Sequence, residues 1–198
     1  MSLLGRLFRR SPNKYEYVRA MQEMASESER TYKFMVSMYN EDVQLGVIPC
    51  PSSVSPATPT GRGVYKARLF NALFMTLAYA RSGGPETEVR ELINVATGIA
   101  ISPLQGPGPT KFERSEAEAF TIHYLKAVVP AISSALDAPH GLPGAPSAEL
   151  DALAEYLHDA LADSIGRDRY NSTVRDHFAL LVQGNVVASL NYAVRWIA

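Results

Sequence analysis

The chain has 198 residues, 46 % of them hydrophobic and 20 % charged, which is ordinary globular usage and enough length for a real core. This composition excludes wholesale disorder, a collagen-like repeat and a disulfide-stapled miniature. Nineteen Lys and Arg against 20 Asp and Glu leave a formal charge of −1, so no global field draws the chain toward nucleic acid or a membrane.

The near-neutrality is a cancellation. Residues 1–40 hold seven Lys and Arg against four Glu, net +3, and residues 41–112 hold six against five acids. Residues 113–166 reverse the sign, with only Arg114 and Lys126 against nine acids, net −7, and residues 167–198 return to +2. Polarity of this kind can orient a partner or a second copy of the chain.

At the start, Leu3, Leu4, Leu7 and Phe8 fall on one arc of a helical projection and Arg6, Arg9 and Arg10 on the other, with no acid before Glu16. That pattern predicts a short basic amphipathic helix over residues 1–10 suited to docking on an anionic membrane surface or a protein partner. A mitochondrial presequence looks similar, whereas the apolar run of a secretory signal is missing. The bland alternative is that these residues pack against the rest of the chain or are disordered.

Ser11-Pro12 reads as a cap followed by proline at the first helical position, opening a helix to about Asn40. Val18, Met21, Ala25, Ser28, Tyr32, Met35 and Tyr39 form its stripe, which Ser26, Glu27, Ser28, Glu29 and Arg30 weaken in the middle. The helix is therefore expected to bend or to lie partly over water there. Four prolines and three glycines make 43–63 a long loop. Val64 to Arg81 is apolar nearly all round, marking a central buried helix. Glu86, Glu88 and Glu91 load the first turns of a helix over about 86–100, where negative charge meets the positive end of the dipole.

A second Pro/Gly-rich loop spans 102–112, and a helix from about Glu113 to Ala138 is expected to bend near Pro130. A third loop, 139–146, precedes a helix capped by Ser147, carrying Leu150, Leu153, Leu157, Leu161 and Ile165 and closed by Gly166. The last helix, about 171–197, carries Val174, Phe178, Val182 and Leu190. Asn171-Ser-Thr173 matches a glycosylation acceptor but is better explained as its cap. Neither Val64–Ala80 nor Phe178–Ile197 reads as a membrane span, because charges or amides interrupt each.

Motifs for chemistry are scarce. Glu155 and His158 have the Glu-x-x-His spacing of di-metal bundles, but no second such motif completes a ligand set, so His158 is expected on the solvated edge of its helix. Cys50 is the only cysteine, which rules out an intramolecular disulfide, argues for a reducing intracellular compartment and leaves a lone thiol with no local base. Asp176 and His177 are helix neighbours that point in different directions. In Gly106 to Lys111 the alternating prolines remove the N–H groups a phosphate loop needs.

The sequence therefore predicts an all-α bundle of about six helices in one domain over 11–198, after the short segment 1–10. It is expected in the cytoplasm or peripherally on a membrane. The function these features favour is a non-enzymatic helical interaction protein, an adaptor or a structural component of an assembly, that binds a protein partner or itself and approaches an anionic membrane through its first ten residues. No cofactor is implied, and the charge balance argues against nucleic acid. The alternative is a helical-bundle enzyme or ligand- or metal-binding protein with its site between helices.

Overall fold

The computed structural model describes residues 12–49, 55–105, 112–137 and 148–197. Among the described residues six α-helices make up an all-α bundle: α1 (Lys14–Gln44), α2 (Gly61–Arg81), α3 (Glu86–Ile101), α4 (Arg114–Asp137), α5 (Ala148–Ile165) and α6 (Ser172–Val194). A short 3-10 turn, Ser102–Leu104, follows α3, and there is no strand among the described residues. Segment 1–10, with Leu3, Leu4, Arg6, Leu7, Phe8, Arg9 and Arg10, lies outside the described residues, as do Cys50 and the expected cap Ser147.

Four boundaries differ from the sequence reading, one of them the end of the last helix, which stops at Val194 and not near Ile197. The first long helix begins at Lys14, because the Asn13 side chain accepts from a first-turn amide, that of Tyr15 at 3.1 Å; the expected cap Ser11 lies outside the described residues. It also runs to Gln44, since Glu41 to Gln44 contain no breaker and Gly46, with φ +72°, makes the turn. The second begins at Gly61 rather than Val64, because Thr60 caps it by accepting from Gly63 N at 3.1 Å. The predicted cap Asn171 is observed, its side chain accepting from Val174 N at 3.1 Å, and Gly166 closes α5 with φ +98°.

The α2 helix is the hub, packing against all five others. Phe70, Leu73, Phe74 and Met75 are fully buried, and such side chains contribute roughly 1.5–3 kcal/mol each when removed from water. Lys66, Arg68 and Asn71 on it are buried as well, so each must find a partner or carry a desolvation penalty. Lys66 points to α5, where it meets Asp159 at 2.5 Å and also Asp163. Arg68 bonds Glu29 of α1 at 2.5 Å and the Ile99 carbonyl of α3 at 2.8 Å. Asn71 turns toward α1 and α6. Polar contacts thus tell the central helix which neighbour belongs on which side.

Close approach fixes the start of α2. A Cβ on Gly63 would lie 1.9 Å from the Tyr32 hydroxyl and 2.8 Å from the Ala160 carbonyl oxygen, so only glycine fits. Tyr32 donates to that carbonyl at 2.9 Å and shares a second hydrogen bond with Ser164 at 2.5 Å. The chain end is tied down similarly: Tyr17 donates to the Trp196 carbonyl at 2.6 Å and meets the Trp196 ring edge-on at 5.0 Å. The described part of the long loop is pinned too, with Asn40 exchanging two hydrogen bonds with the Ala57 backbone.

Pro130 sits inside α4 on its exposed side, where water can take the carbonyl that the missing N–H leaves open. Among the described residues α4 is the one helix long and apolar enough to cross a membrane, with mean hydropathy 1.3 and 33 % of that window buried. Core helices of soluble proteins pass the same test, so the property assigns no membrane by itself.

Candidate functional site

The interrupted stripe of α1 faces a groove of about 560 Å³ between α1, α2 and α6. Its size lies within the range of about 300–1,000 Å³ typical of small-molecule sites. The groove exists because small or polar side chains occupy the facing positions: Ser26 and Ser28 on α1, Ala188 and Ser189 on α6. None is large enough to close the space a Leu or Phe would fill. Glu29, in the same stretch, is turned away to Arg68 and Lys33. Burial alone would raise its carboxyl, but those two cations more than offset it and hold it below the usual carboxylate range.

The floor is a buried hydrogen-bond network. Asn71 Nδ2 donates to Ser28 Oγ at 2.6 Å and to the Ala67 carbonyl at 3.1 Å, and Ser28 Oγ donates to the same carbonyl at 2.8 Å. Ser189 Oγ lies against Asn71 Oδ1, closing the link to α6. All three residues are buried, Asn71 to 2 % exposure. Beside them Asn185 lines the groove, and its Oδ1, shielded from water, has no partner within the protein. An unpaired buried acceptor costs about 1–3 kcal/mol. Met24 and Tyr192 add apolar wall, while Glu23, Glu27 and Arg30 stand at the rim. Arg30 pairs with Glu27 at 3.1 Å, Arg19 with Glu23 at 3.2 Å, and both pairs are exposed.

A second polar cluster lies on the α2–α5 side. Lys66, 1 % exposed, sits against Asp159 and Asp163, which Arg167 also contacts at 2.8 Å and 3.0 Å, and Arg62 stands 3.7 Å from Asp163. Both Arg62 and Lys66 approach the ring of Phe120, at 5.1 Å and 5.3 Å from its centroid. Burial would push the Asp159 carboxyl up, but Lys66 and Arg167 outweigh it and hold it below its ordinary value. Every charge here has a counter-charge in contact, so the cluster reads as a structural lock between α2 and α5.

The metal candidates do not converge. Glu155 is engaged by the guanidinium of Arg175, one bond measuring 2.9 Å. His158 is buried, 5 % exposed, rather than on a solvated edge, because the chain after Gly166 brings Tyr170 over it. The Tyr170 hydroxyl and His158 Nδ1 share a 2.5 Å hydrogen bond, and burial raises the Tyr170 phenol far above its usual value. Among the described residues no group of three His, Cys, Asp or Glu could hold a metal ion. His177 pairs with Asp42 at 2.8 Å across to α1, and not with its neighbour Asp176.

Four of the nine acids of 113–166 meet cations from other parts of the chain. Asp137 pairs with Arg81, Glu155 with Arg175, and Asp159 and Asp163 with Lys66 and Arg167. Part of the charge reversal along the sequence thus records contacts made within the fold. Sequence reasoning missed the groove as a site. The interruption at Ser26–Arg30 was its one local signal, and the α2 and α6 residues that complete it are distant in the chain. In the comparisons made, no protein-family description, no curated protein and no solved structure matches the chain.

Proposed function

We propose that this is a non-enzymatic helical binding protein whose recognition site is the groove between α1, α2 and α6. The observation that carries the reading is the buried Ser28–Asn71–Ser189 floor. Placing three neutral polar side chains where apolar ones would pack gives up core stability, as expected where a groove must orient a polar ligand group. The groove has hydrogen-bonding groups and an apolar wall but no paired nucleophile and base, so binding fits it better than turnover. Of the two functions expected from the sequence, this keeps the non-enzymatic character of the first and adopts the between-helix site of the second. A partner for segment 1–10 is a separate matter, resting on its sequence pattern.

A ligand-observed NMR screen of small organic fragments tests the reading when run on the native chain and on Ala188→Trp, whose indole would fill the groove from an exposed rim position. Fragments that bind the native protein should lose their signal with the variant. Fragments binding both equally would place recognition elsewhere.

A further inference from the structure

We infer that the outward face of α6 pairs antiparallel with the same face of a second copy of this chain. His177, Leu181, Gly184, Ala188, Asn191 and Arg195 recur at spacings of 4-3-4-3-4, and all six are exposed. Such spacing lays them along one line of the helix, as in the seam of a two-helix coiled coil. Leu180 and Leu181 project from that line, 83 % and 40 % exposed, and Leu180 is the most exposed large apolar side chain among the described residues. From Phe178 to Val194 the helix carries no Asp, Glu, Lys or Arg. The exposed faces of its peripheral neighbours do, with Glu27 on α1, Arg90 on α3, Lys126 on α4 and Asp151 on α5. A helix face left uncharged and apolar where the others are charged is the kind that a partner covers.

Charge identifies the partner. Asp176 precedes the uncharged stretch and Arg195 follows it; both are exposed, and neither has an ion-pair partner among the described residues. His177 is held by Asp42 at 2.8 Å, so the Asp176 end of the face carries two carboxylates. The 4-3-4-3-4 pattern is symmetric about its middle, between Gly184 and Ala188. A two-fold axis there sets Gly184 beside Ala188 of the second copy, Leu181 beside its Asn191 and His177 beside its Arg195. That Arg195 then comes to the carboxylates of Asp176 and Asp42, and the symmetry makes the contact twice. A parallel pairing would instead bring like charges together at both ends. An added Cβ on Gly184 would meet nothing within 4 Å, so the close approach of a second helix, and not packing inside the chain, gives that glycine its use. Of these positions only Ala188 also lines the groove, so the pairing and the groove are tested at different residues.

One helix pair buries less than about 1,200 Å², the size of a weak complex, so a dissociation constant of roughly 10–100 μM is expected. Sedimentation equilibrium of the full chain from about 1 to about 300 μM should show monomer passing into dimer. Leu180→Glu should weaken the dimer at least about tenfold. Asp176→Arg and Arg195→Asp should each weaken it at least about threefold, and the chain carrying both should return to within about twofold of the native constant, because the two charges then meet in reverse order. All these changes fall at exposed positions, and thermal melts at about 2 μM, below the range of the dimer, confirm that each variant is folded. A native chain that stays monomeric throughout, a dimer that Leu180→Glu leaves unchanged, or a double variant no tighter than the single ones would overturn the inference.

Discussion

Replacing Lys66 by methionine tests whether the α2–α5 lock holds the bundle together. The substitution keeps the length and apolar stem of the side chain and removes its ammonium, which is 1 % exposed and contacts two carboxylates. Breaking a buried ion pair by deleting one partner costs about 3–5 kcal/mol, because the remaining charge stays desolvated. Here Asp163 is 9 % exposed and Asp159 41 %, and Arg167 still reaches both. The loss should therefore sit at the low end, about 3 kcal/mol. For a chain of this size that lowers Tm by roughly 6–12 °C. Thermal unfolding by circular dichroism reads it directly. Adding Asp163→Leu should recover at least half of the loss, since an apolar pair of similar volume carries no stranded charge. A Lys66→Met protein melting within about 2 °C of the native one would refute the lock, showing these charges to be as solvated as surface pairs.

Acid should weaken the fold in two steps. Burial holds the His158 imidazole below its ordinary value of 6.5, so its stabilisation is complete above that pH and is lost as pH falls from there through the lowered folded value. Melting temperatures measured at about pH 7.5 and about pH 5.5 should fall less in His158→Gln than in the native chain; equal slopes contradict it. Asp159, also held low, contributes stability above its ordinary value of 3.8 that is lost below it. Lys66→Met should flatten that lower limb of the pH profile. At Gly63 an added Cβ meets Tyr32 and the Ala160 carbonyl, whereas at Gly98 it meets nothing within 4 Å. Chemical denaturation should show Gly63→Ala destabilised by at least about 2 kcal/mol and Gly98→Ala stabilised by roughly 0.5–1 kcal/mol; a shift of the same sign in both would refute the packing account. For segment 1–10, sedimentation with anionic vesicles should retain the full chain more than a variant lacking those residues, and equal partitioning would remove the docking reading.

The helices were legible because their boundaries are written locally, in Pro and Gly breakers, in the Asn171 cap and in acidic first turns. The central position of α2 was legible from its lack of a polar face. Its Lys66 and Arg68 could be read only as charges that spoil a membrane span, since their partners Asp159, Asp163 and Glu29 lie on other helices. His158 was misplaced for a related reason: helical spacing puts it beside Glu155, but the turn at Gly166 delivers Tyr170 onto it. The groove was half visible, as a flaw in one amphipathic stripe. Its floor needs residues 28, 71 and 189, which only the packed bundle brings together.

The most direct test of the groove as the binding site is the dissociation constant of the tightest-binding fragment from the ligand-observed screen, for the native chain and for Ala188→Trp, both read from the Asn71 and Asn185 side-chain amides. The account predicts at least about tenfold weaker binding in the variant, which corresponds to about 1.4 kcal/mol, with the melting temperature unchanged because the substitution is at an exposed position. Equal constants in two equally stable proteins would contradict it.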